Sequence, residues 1–540
     1  MRKFNREAEQ VVAEGNGLSK PGQEPATGCN LSQREIEVKL QVDRQDLKRV
    51  LAFPALGAQG TPKEQELRSV YYDTPERDLQ KNGITLRLRK RARATPLLGI
   101  KWTGNAAEGP FSRGEVEVPC VKGEPDMELF EPEIQERLSA VVGQLPLTLQ
   151  FETRVKRRTL DVRQGHSQIE VAVDDGAIIA GGKQLPLTEV ELELKAGTEA
   201  DLYDFAMSLV RELPMRLDVT AKSEKGYRLA DHGLAKPRKA TPIAFPAAPS
   251  LDDAVSAVIS NTLSHFVNNW SPLLETENPE SVHQMRVALR RMRSALAMFK
   301  RVLPSPEIED LRSGAKQIAS ALGEARECDV FQHNAEEGPL QGSSRPRGSD
   351  MLLAAIDARR KSAYEAVRKL IAEPATTLFA LRVQSFLARR AWRNTLSGPQ
   401  LPALVQPAEE FAKAALDRLY KRACKRGRHL AELSDEERHQ LRIALKNLRY
   451  GAEFFGALFG HRRKLKQSLE HVSALQQILG AHNDAAMAKH FLETLAVPPD
   501  AAVEFASGYL LGWKEHGTTT SETKLGKTWK AFAGADPFWT

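Results

Sequence analysis

Charged side chains with a possible chemical role alternate with apolar ones at residues 34–42, REIEVKLQV. Side chains two apart on a β-strand point to the same face, so Glu35, Glu37 and Lys39 share one face of this segment. Carboxylates bind divalent cations, and an ammonium group binds phosphate oxygens. A solvent-facing edge strand is the ordinary explanation of a single segment of this kind, so the rest of the chain decides between the two interpretations.

The same alternation recurs along the first half of the chain, with both signs of charge. The charged positions are Arg87, Arg89, Lys101, Glu115, Glu117, Glu170, Asp174, Glu189, Glu191 and Glu193, and a further strand carries Arg154, Lys156, Arg157 and Arg158. If the apolar faces pack outward, the charged faces line the inside of a closed sheet. A wet interior of this composition suits a compact polyanion bound with Mg²⁺ or Mn²⁺, because basic groups bind phosphate and carboxylates hold the metal.

The EIEVK segment and the order of the elements after it resemble the CYTH superfamily, the triphosphate tunnel metalloenzymes. The elements are an RxR strand, a lysine strand, an ExE strand, an arginine strand, an acidic strand, an ExExE strand and a terminal lysine in TAKSEKGYRL. The resemblance covers about residues 33–231. It implies an eight-stranded antiparallel β-tunnel that binds triphosphate or the triphosphate tail of a nucleotide.

The resemblance also implies a role for each charged position. The implied phosphate ligands are Lys39, Arg87, Arg89, Lys101, Arg157 and Lys222; the implied metal ligands are Glu35, Glu37, Glu189 and Glu191. Supporting carboxylates are Glu115, Glu117, Glu170, Asp174 and Glu193, which either assist the metal and the bases or form a salt-bridge lattice in the wall. Lys39 and Lys101 are the expected catalytic groups, with Lys101 orienting the attacking water. Arg157 is chosen among its basic neighbours because the family pattern places an aromatic or large apolar residue three positions later, here Leu160.

The second half of the chain is predicted to be helical, because its apolar residues recur at spacings of three and four. It contains an internal repeat: HQMRVALRRMRSALAMF (283–299) matches HQLRIALKNLRYGAEFF (439–455), and LGEARE (322–327) matches LGAHND (479–484). The offsets of 156 and 157 residues leave room for about four helices in each unit. We therefore predict two packed antiparallel four-helix bundles, with helices beginning at LGEARE and LGAHND.

One face of the repeated helix carries a basic stripe. The stripe of the first copy is His283, Arg286, Arg290 and Arg293, and that of the second copy is His439, Arg442, Lys446 and Arg449. Like charges on one helical face repel by a few tenths of a kcal/mol per pair, so the duplication indicates a use, unless the face is simply solvated. The chain resembles the CHAD domain over about residues 251–535. This resemblance implies that the stripes bind inorganic polyphosphate. A metal role for the histidines is disfavoured because neither has a second ligand at i+4.

Composition restricts the class of protein. The 540 residues carry a net charge of +7, and four scattered cysteines without zinc-ligand spacing favour a reduced, cytoplasmic location, with polyphosphate granules as one possible place. No secretory signal and no run of about 18 apolar residues is present, so we expect no membrane partner.

The expected divisions are a disordered extension at 1–29, the tunnel domain at 30–233, a Pro-rich linker at 234–250 and the helical domain at 251–540, with repeats at about 251–400 and 401–535.

The expected protein thus joins an α+β tunnel domain to an all-α domain. Its expected function is metal-dependent hydrolysis of inorganic triphosphate to diphosphate and phosphate, with polyphosphate as a second partner. A class IV-type adenylyl cyclase, a thiamine or nucleoside triphosphatase, or a non-catalytic polyphosphate-binding scaffold are the alternatives. Nucleic-acid binding predicts aromatic residues among the basic ones, and the stripes offer only Tyr450 at their edge. The preferred metal, the chain length of the polyanion and the oligomeric state stay open.

Overall fold

The computed structural model describes residues 34–57, 61–92, 94–103, 112–336, 338, 340, 345–497 and 500–540. The predicted disordered extension at residues 1–29 lies outside this part of the chain. Strands dominate residues 34–217, and helices dominate from residue 251 onward. The prediction of a large antiparallel sheet followed by a helical region is therefore confirmed. We call residues 34–230 the sheet half and residues 251–540 the helical half.

Nine strands form one antiparallel sheet among the described residues of the sheet half. They are β1 (Arg34–Val42), β2 (Lys63–Asp73), β3 (Ile84–Arg91), β4 (Ala94–Thr103), β5 (Ser112–Pro119), β6 (Thr148–Gln164), β7 (Ser167–Ala180), β8 (Lys183–Ala196) and β9 (Met215–Leu217). The strand order is β5-β4-β3-β2-β6-β7-β8-β1-β9, and β1 also pairs with β5, so that β1–β8 close a ring. The resemblance implied eight strands, and the sheet has a ninth, because the three-residue strand β9 pairs with β1 beside the closed ring.

The alternation of the strands separates the two faces of the ring. Apolar residues such as Val38, Leu40 and Leu192 are fully buried in a core outside the ring, where they pack with residues of neighbouring helices. Where the structure describes the sheet half, its six α-helices are α1 (Leu47–Leu51), α2 (Pro54–Gly57), α3 (Asp78–Lys81), α4 (Pro132–Val142), α5 (Glu199–Glu212) and α6 (Lys222–Ala230). The charged residues of the same strands are left to face the interior of the ring.

Helix α6 is anchored to the ring by aromatic packing and one buried hydrogen bond. The Tyr227 hydroxyl donates to Asp73 Oδ2 at 2.7 Å, and its ring packs edge-on against Phe151 with centroids 5.1 Å apart. Gly226 permits this approach, because a Cβ at that position would lie 2.2 Å from the Phe151 ring. The anchored helix begins at Lys222, which lines the interior of the ring.

The helical half contains twelve α-helices within the described residues. They are α7 (Leu251–Val267), α8 (Trp270–Glu275), α9 (Pro279–Phe299), α10 (Pro306–Ala321), α11 (Gly323–Glu336), α12 (Ser349–Ala372), α13 (Pro374–Ala388), α14 (Pro402–Val405), α15 (Ala408–Arg426), α16 (Asp435–Phe455), α17 (Arg462–Thr494) and α18 (Ala501–Ala533). None of these described helices is long and apolar enough to cross a membrane. Helix α11 begins at Gly323 as predicted, but α17 continues through Gly480, so the prediction of a helix start at LGAHND is wrong.

The two halves pack directly against each other. Residues 231–249 join them without helix or strand, while α5 packs on α13. The Leu217 backbone N–H donates to Thr377 Oγ1 at 3.1 Å, and Ser385 Oγ donates to Asp204 Oδ1 at 3.3 Å. One apolar cluster runs from Val38 in β1 to the C-terminal helices, so the halves share a core.

Candidate functional site

The ring encloses a cavity of about 1130 Å³ with a charged wall. The sequence-predicted residues that line it are Glu35, Glu37, Lys39, Arg87, Arg89, Lys101, Glu115, Glu117, Arg157, Glu170, Glu191, Glu193 and Lys222. Asp174 and Glu189 lie behind this surface with 0% and 1% exposure and bind residues that line it. The structure therefore brings all the predicted site residues of the sheet half together. The outer part of the cavity reaches the helical half at Asn261, Asn268 and Ser271.

Three carboxylates come together on neighbouring strands β7 and β8. Asp174 is the direct cross-strand partner of Glu189, and carboxylate oxygens of Asp174, Glu189 and Glu191 lie within 4.8 Å of one another. Glu189 Oε1 is buried, and it lies 3.1 Å from the Lys222 ammonium. Three carboxylates whose oxygens lie at this spacing fit a hard divalent cation such as Mg²⁺ or Mn²⁺, because these cations prefer oxygen ligands. The predicted metal ligands Glu35 and Glu37 face Lys101 and Lys39 instead.

Arg157 and Lys222 each contact more than one carboxylate of the acidic group, which consists of Asp174, Glu189 and Glu191. Arg157 donates to both oxygens of Asp174 at 2.7 Å and to Glu191 at 2.5 Å. Lys222 Nζ lies 2.5 Å from Asp174 and 3.1 Å from each of Glu189 and Glu191. Burial alone would raise the pKa of Glu191, but Lys222 and Arg157 hold it well below its usual range. Despite burial, Lys222 and Arg157 also lower the pKa of Asp174, so Glu191 and Asp174 are ionised and able to bind a metal at neutral pH.

A second charged group lies on β1, β3, β4 and β5. Lys101 Nζ is 2.6 Å from Glu35 and 2.9 Å from Glu115, while the Arg87 guanidinium is 2.6 Å from Glu115 and 3.0 Å from Glu117. Arg89 completes the group at 3.3 Å from Glu117. Burial raises the pKa of Glu35 to about 7 despite the adjacent Lys101. Burial acts in the same direction on Glu115, but Arg87 and Lys101 outweigh it and hold the pKa of Glu115 at about 2.

Lys39 connects the two groups, since its ammonium lies 2.6 Å from Glu37 and 3.6 Å from Glu191. Each of the six predicted phosphate ligands is thus paired with a carboxylate. A polyphosphate that enters with its metal would offer oxygens to the basic groups and a cation to the carboxylates. Such a site neutralises the charge that develops during phosphoryl transfer.

Two lysines near the cavity are not among the site residues predicted from the sequence. Lys225 Nζ lies 2.6 Å from Asp218 and 3.4 Å from Glu189, and Lys195 Nζ lies 2.6 Å from Glu193. The spacing of Lys225 from Lys222 was the available signal, because residues three apart share a helical face. Lys195 follows the ExExE segment by two residues, which places it on the same strand face.

The crowded basic strand β6 separates its charges between two faces. Arg157 lines the cavity, whereas its neighbours Lys156 and Arg158 point to the opposite face and pair with Glu64 at 2.6 and 3.0 Å. Arg154 lies 2.5 Å from Glu152 and is largely exposed. Arg157 is therefore the member of this run that is able to reach a ligand in the ring.

The two basic stripes meet where α9 and α16 pack together. Arg290 Nε donates to the Tyr450 hydroxyl, and Ser294 Oγ donates to Asn447 Oδ1 at 3.1 Å. The guanidinium carbons of Arg290 and Arg449 lie 5.5 and 5.4 Å from the centroid of the Tyr450 ring. Tyr450 is fully buried, so the aromatic residue at the edge of the stripe has no surface for stacking on a base.

Corresponding arginines of the stripes approach corresponding glycines of the repeats. Arg286 donates to the Ala319 carbonyl, and its Nη1 would lie 3.2 Å from a Cβ on Gly323. Arg442 Nη2 would lie 3.4 Å from a Cβ on Gly480. These glycines belong to the repeated LGEARE and LGAHND segments. The two repeats therefore share a close approach of arginine to glycine as well as a similar sequence.

The remaining stripe residues differ in exposure. His439 is exposed, and His283, Arg293 and Lys446 are half-buried. Burial lowers the pKa of His283, and the nearby Arg326 lowers it further. This histidine therefore sits in a positive environment that an anion would relieve. Arg449 lies 3.3 Å from Glu453, one turn further along α16.

Comparison with known proteins assigns the two halves to different domain families. The CYTH domain family matches residues 33–227, and the CHAD domain family matches residues 257–493. A Haemophilus influenzae protein described as "Inorganic triphosphatase" is 34% identical over 206 residues, which are 37% of this chain. The match covers 56% of that protein, so the chain spans just over half the length of this relative.

Two further similarities extend over larger shares of the chain. An uncharacterized protein of Mycobacterium tuberculosis is 26% identical over 482 residues, covering 84% of this chain and 86% of that protein. The crystal structure of the CHAD domain from the plant Ricinus communis is 28% identical and covers 56% of this chain and 98% of that one, with a TM-score of 0.44. The chain carries a CYTH domain at residues 33–227, followed by a CHAD domain at residues 257–493.

Proposed function

We propose that the sheet half is a metal-dependent inorganic triphosphatase that hydrolyses triphosphate to diphosphate and phosphate. The carrying observation is the charged cavity inside the closed ring, where basic groups for phosphate face carboxylates for a metal. A solvated surface would not bury Asp174 and Glu189 to 0% and 1% exposure. The relative described as an inorganic triphosphatase supports the choice of substrate over a nucleotide or thiamine compound.

In this proposal the basic groups bind and orient the substrate. Arg157, Lys222 and Lys39 contact the phosphoryl oxygens near the acidic group, and Arg87 and Arg89 hold the remainder of the chain. A divalent cation held by the acidic group would neutralise the developing negative charge. Lys101 orients the attacking water, and the proton released by that water passes to solvent. Water adds to the terminal phosphorus as the anhydride bond breaks, and diphosphate leaves.

The proposal for the helical half is binding of inorganic polyphosphate along the two stripes. The packing of Arg290 and Arg449 on the same tyrosine supports it, because the two stripes then form one positive region. We also propose the predicted division of the chain, with a linker at 234–250 and two four-helix units. Helices α9 and α16, which begin 156 residues apart, support the duplication.

The enzymatic proposal is tested by phosphate release from a panel of substrates. Inorganic triphosphate, ATP and thiamine triphosphate are offered to the full chain with Mg²⁺, with Mn²⁺ and with excess EDTA. We expect triphosphate to be preferred, because the charged groups of the wall bind phosphate oxygens. Turnover should vanish in EDTA, because the carboxylates act through a bound metal. Preference for ATP with release of diphosphate and a cyclic nucleotide would identify a cyclase instead.

The polyphosphate proposal is tested by affinity against chain length and salt. We expect long chains to bind far more tightly than triphosphate, and binding to weaken steeply with salt as counterions are released. The double change Arg290→Glu and Lys446→Glu should weaken binding more than either single change. The matched control is Lys48→Glu with Lys63→Glu, an equal change in charge on exposed lysines of the sheet half. Equal losses of polyphosphate affinity in both double variants would show that binding depends on net charge and not on the stripes.

A further inference from the structure

The ammonium group of Lys222 occupies the space between the three carboxylates of the acidic group. Its Nζ lies 2.5 Å from Asp174, 3.1 Å from Glu189 and 3.1 Å from Glu191. The side chain is 13% exposed, so solvent screens these contacts weakly. Buried carboxylates without a counter-charge are costly, and Lys222 meets that need for all three.

We propose that Lys222 is a resident counter-cation of the acidic group, which a divalent cation must displace and which then turns to the substrate. The inference rests on the proposed metal site and adds a competition within it. Mg²⁺ takes oxygen ligands at about 2.0–2.1 Å. The three carboxylates hold their oxygens within 4.8 Å of one another, so a metal bound among them would lie against the present position of Nζ. Two cations that close repel strongly in a buried site.

The neighbouring cations differ from Lys222 in the way they are held. Arg157 is fixed to Asp174 by two hydrogen bonds of 2.7 Å in a planar fork. Lys225 is tied to Asp218 at 2.6 Å and touches only Glu189 of the acidic group, at 3.4 Å. Lys222 has a flexible four-carbon stem at the first position of an anchored helix, so its head can move while α6 stays in place.

Displacement couples the binding of metal and substrate. In the substrate-free protein the metal competes with Lys222, so the affinity of the acidic group for the metal is reduced. Once displaced, the ammonium is free to bind a phosphate oxygen, so metal binding strengthens triphosphate binding. By linkage, triphosphate strengthens metal binding by the same factor.

The test is calorimetric titration of Mn²⁺ into the substrate-free full chain, with Lys222→Met compared with wild type. We expect Lys222→Met to bind Mn²⁺ at least about fivefold more tightly, the lower end of ordinary coupling between sites. Lys225→Met is the matched control, since it removes a lysine from the same helix face with one contact to the acidic group, and should change the affinity by less. Lys222→Arg keeps the competing charge and should stay near wild type.

A second measurement separates this proposal from the enzymatic one. Triphosphate affinity is measured with Mn²⁺ and with EDTA, and the ratio should fall in Lys222→Met while metal binding alone improves. Unchanged or weaker Mn²⁺ binding by a folded Lys222→Met protein would overturn the counter-cation role, whatever the enzyme hydrolyses. Tighter Mn²⁺ binding in a protein that does not hydrolyse triphosphate would leave the counter-cation role standing and refute the proposed enzyme.

Discussion

Each predicted phosphate ligand in the cavity wall is bound to at least one carboxylate, so a single substitution leaves a partner without its counter-charge. Arg157 illustrates this, because it is paired with both Asp174 and Glu191. Removing one member of a buried charged pair costs more than the pair contributes, since the remaining charge stays desolvated. Substitutions at the site therefore need a control that removes the same charge from the same strand.

We predict that Arg157→Met weakens triphosphate binding about 10- to 150-fold, the effect of losing one charge-assisted contact of about 1.5–3 kcal/mol. Arg158→Met is the control, because Arg158 is adjacent on β6 but faces outward toward Glu64. Its effect should stay within about twofold, as for an exposed ion pair. Affinity of both variants is measured by titration calorimetry beside their thermal unfolding. Similar effects from the two arginines would argue against a ligand site inside the ring.

We predict a second residue-scale effect at His265, a buried histidine bonded to Gln284 in the helical half. Burial, assisted by Arg291, lowers the pKa of His265 from 6.5 to about 4. The unfolded chain therefore binds more protons than the folded chain as the pH falls. The stabilisation from a neutral His265 is fully present above pH 6.5 and is lost as the pH falls toward 4.

The expected loss at this histidine is about 2 to 3 kcal/mol in the free energy of unfolding between pH 7 and pH 4.5. Urea unfolding of wild type and His265→Gln at both pH values measures it, since glutamine does not titrate. The pH dependence of the variant should be smaller by that amount. His232→Gln, at an exposed position, is the control. Parallel pH profiles for wild type and His265→Gln would rule out this titration.

At the scale of elements, the position of helix α6 places Lys222 in the cavity wall. Its position depends on Tyr227 and Phe151, which are distant in sequence, and on a glycine that lets the helix approach. The helix therefore acts as a fixed support for Lys222, and a change in its docking should affect both stability and ligand binding.

We predict that Gly226→Ala lowers the free energy of unfolding by about 1–3 kcal/mol, because the new Cβ would lie 2.2 Å from the Phe151 ring. It should also weaken triphosphate binding by shifting Lys222. Gly508→Ala is the control: Gly508 lies inside α18, and a Cβ there would meet nothing within 4 Å. That change should be neutral or stabilising by up to about 1 kcal/mol. Denaturant midpoints and m-values distinguish the outcomes, and equal destabilisation of both variants would contradict the docking of α6.

Local periodicity predicts the faces of these elements but not their partners. The alternation in β1 identified Glu35, Glu37 and Lys39 as inward residues, because two-residue spacing is a property of any strand. It could not pair Lys222 with Asp174, since that contact depends on ring closure and on the docking of α6. The repeat at LGAHND likewise predicted a helix start, whereas α17 runs through it, because a sequence match does not require the same break in the backbone.

At the scale of the whole molecule, the two halves are joined by a continuous apolar core. The outer face of β1, the helix α5 and the helix α13 contribute to one cluster that extends to Trp539. Interfaces between independent domains are usually smaller and more polar. The cavity also reaches residues of α7 and α8, so the helical half forms part of its outer wall.

We predict that the full chain unfolds in a single cooperative transition. The shared core exposes apolar surface on both halves if either one unfolds alone. Differential scanning calorimetry should give a calorimetric enthalpy close to the van't Hoff enthalpy. Two resolved transitions, or an enthalpy ratio near two, would show that the halves are independent.

The proposed metal-dependent triphosphatase activity is tested most directly by phosphorus NMR, which follows inorganic triphosphate turnover by wild type, Glu191→Gln and Glu64→Gln. Glu191 belongs to the acidic group, whereas Glu64 is an exposed carboxylate that pairs with Lys156 and Arg158 on the outside of β6. We predict equal amounts of diphosphate and phosphate from wild type with Mg²⁺ or Mn²⁺, no turnover in EDTA, and near-normal turnover by Glu64→Gln. Turnover by Glu191→Gln should fall at least about 100-fold, the order seen when one electrostatic contact to a transition state is lost. Full turnover in EDTA, or unchanged turnover by Glu191→Gln, would contradict a metal-dependent triphosphatase in the ring.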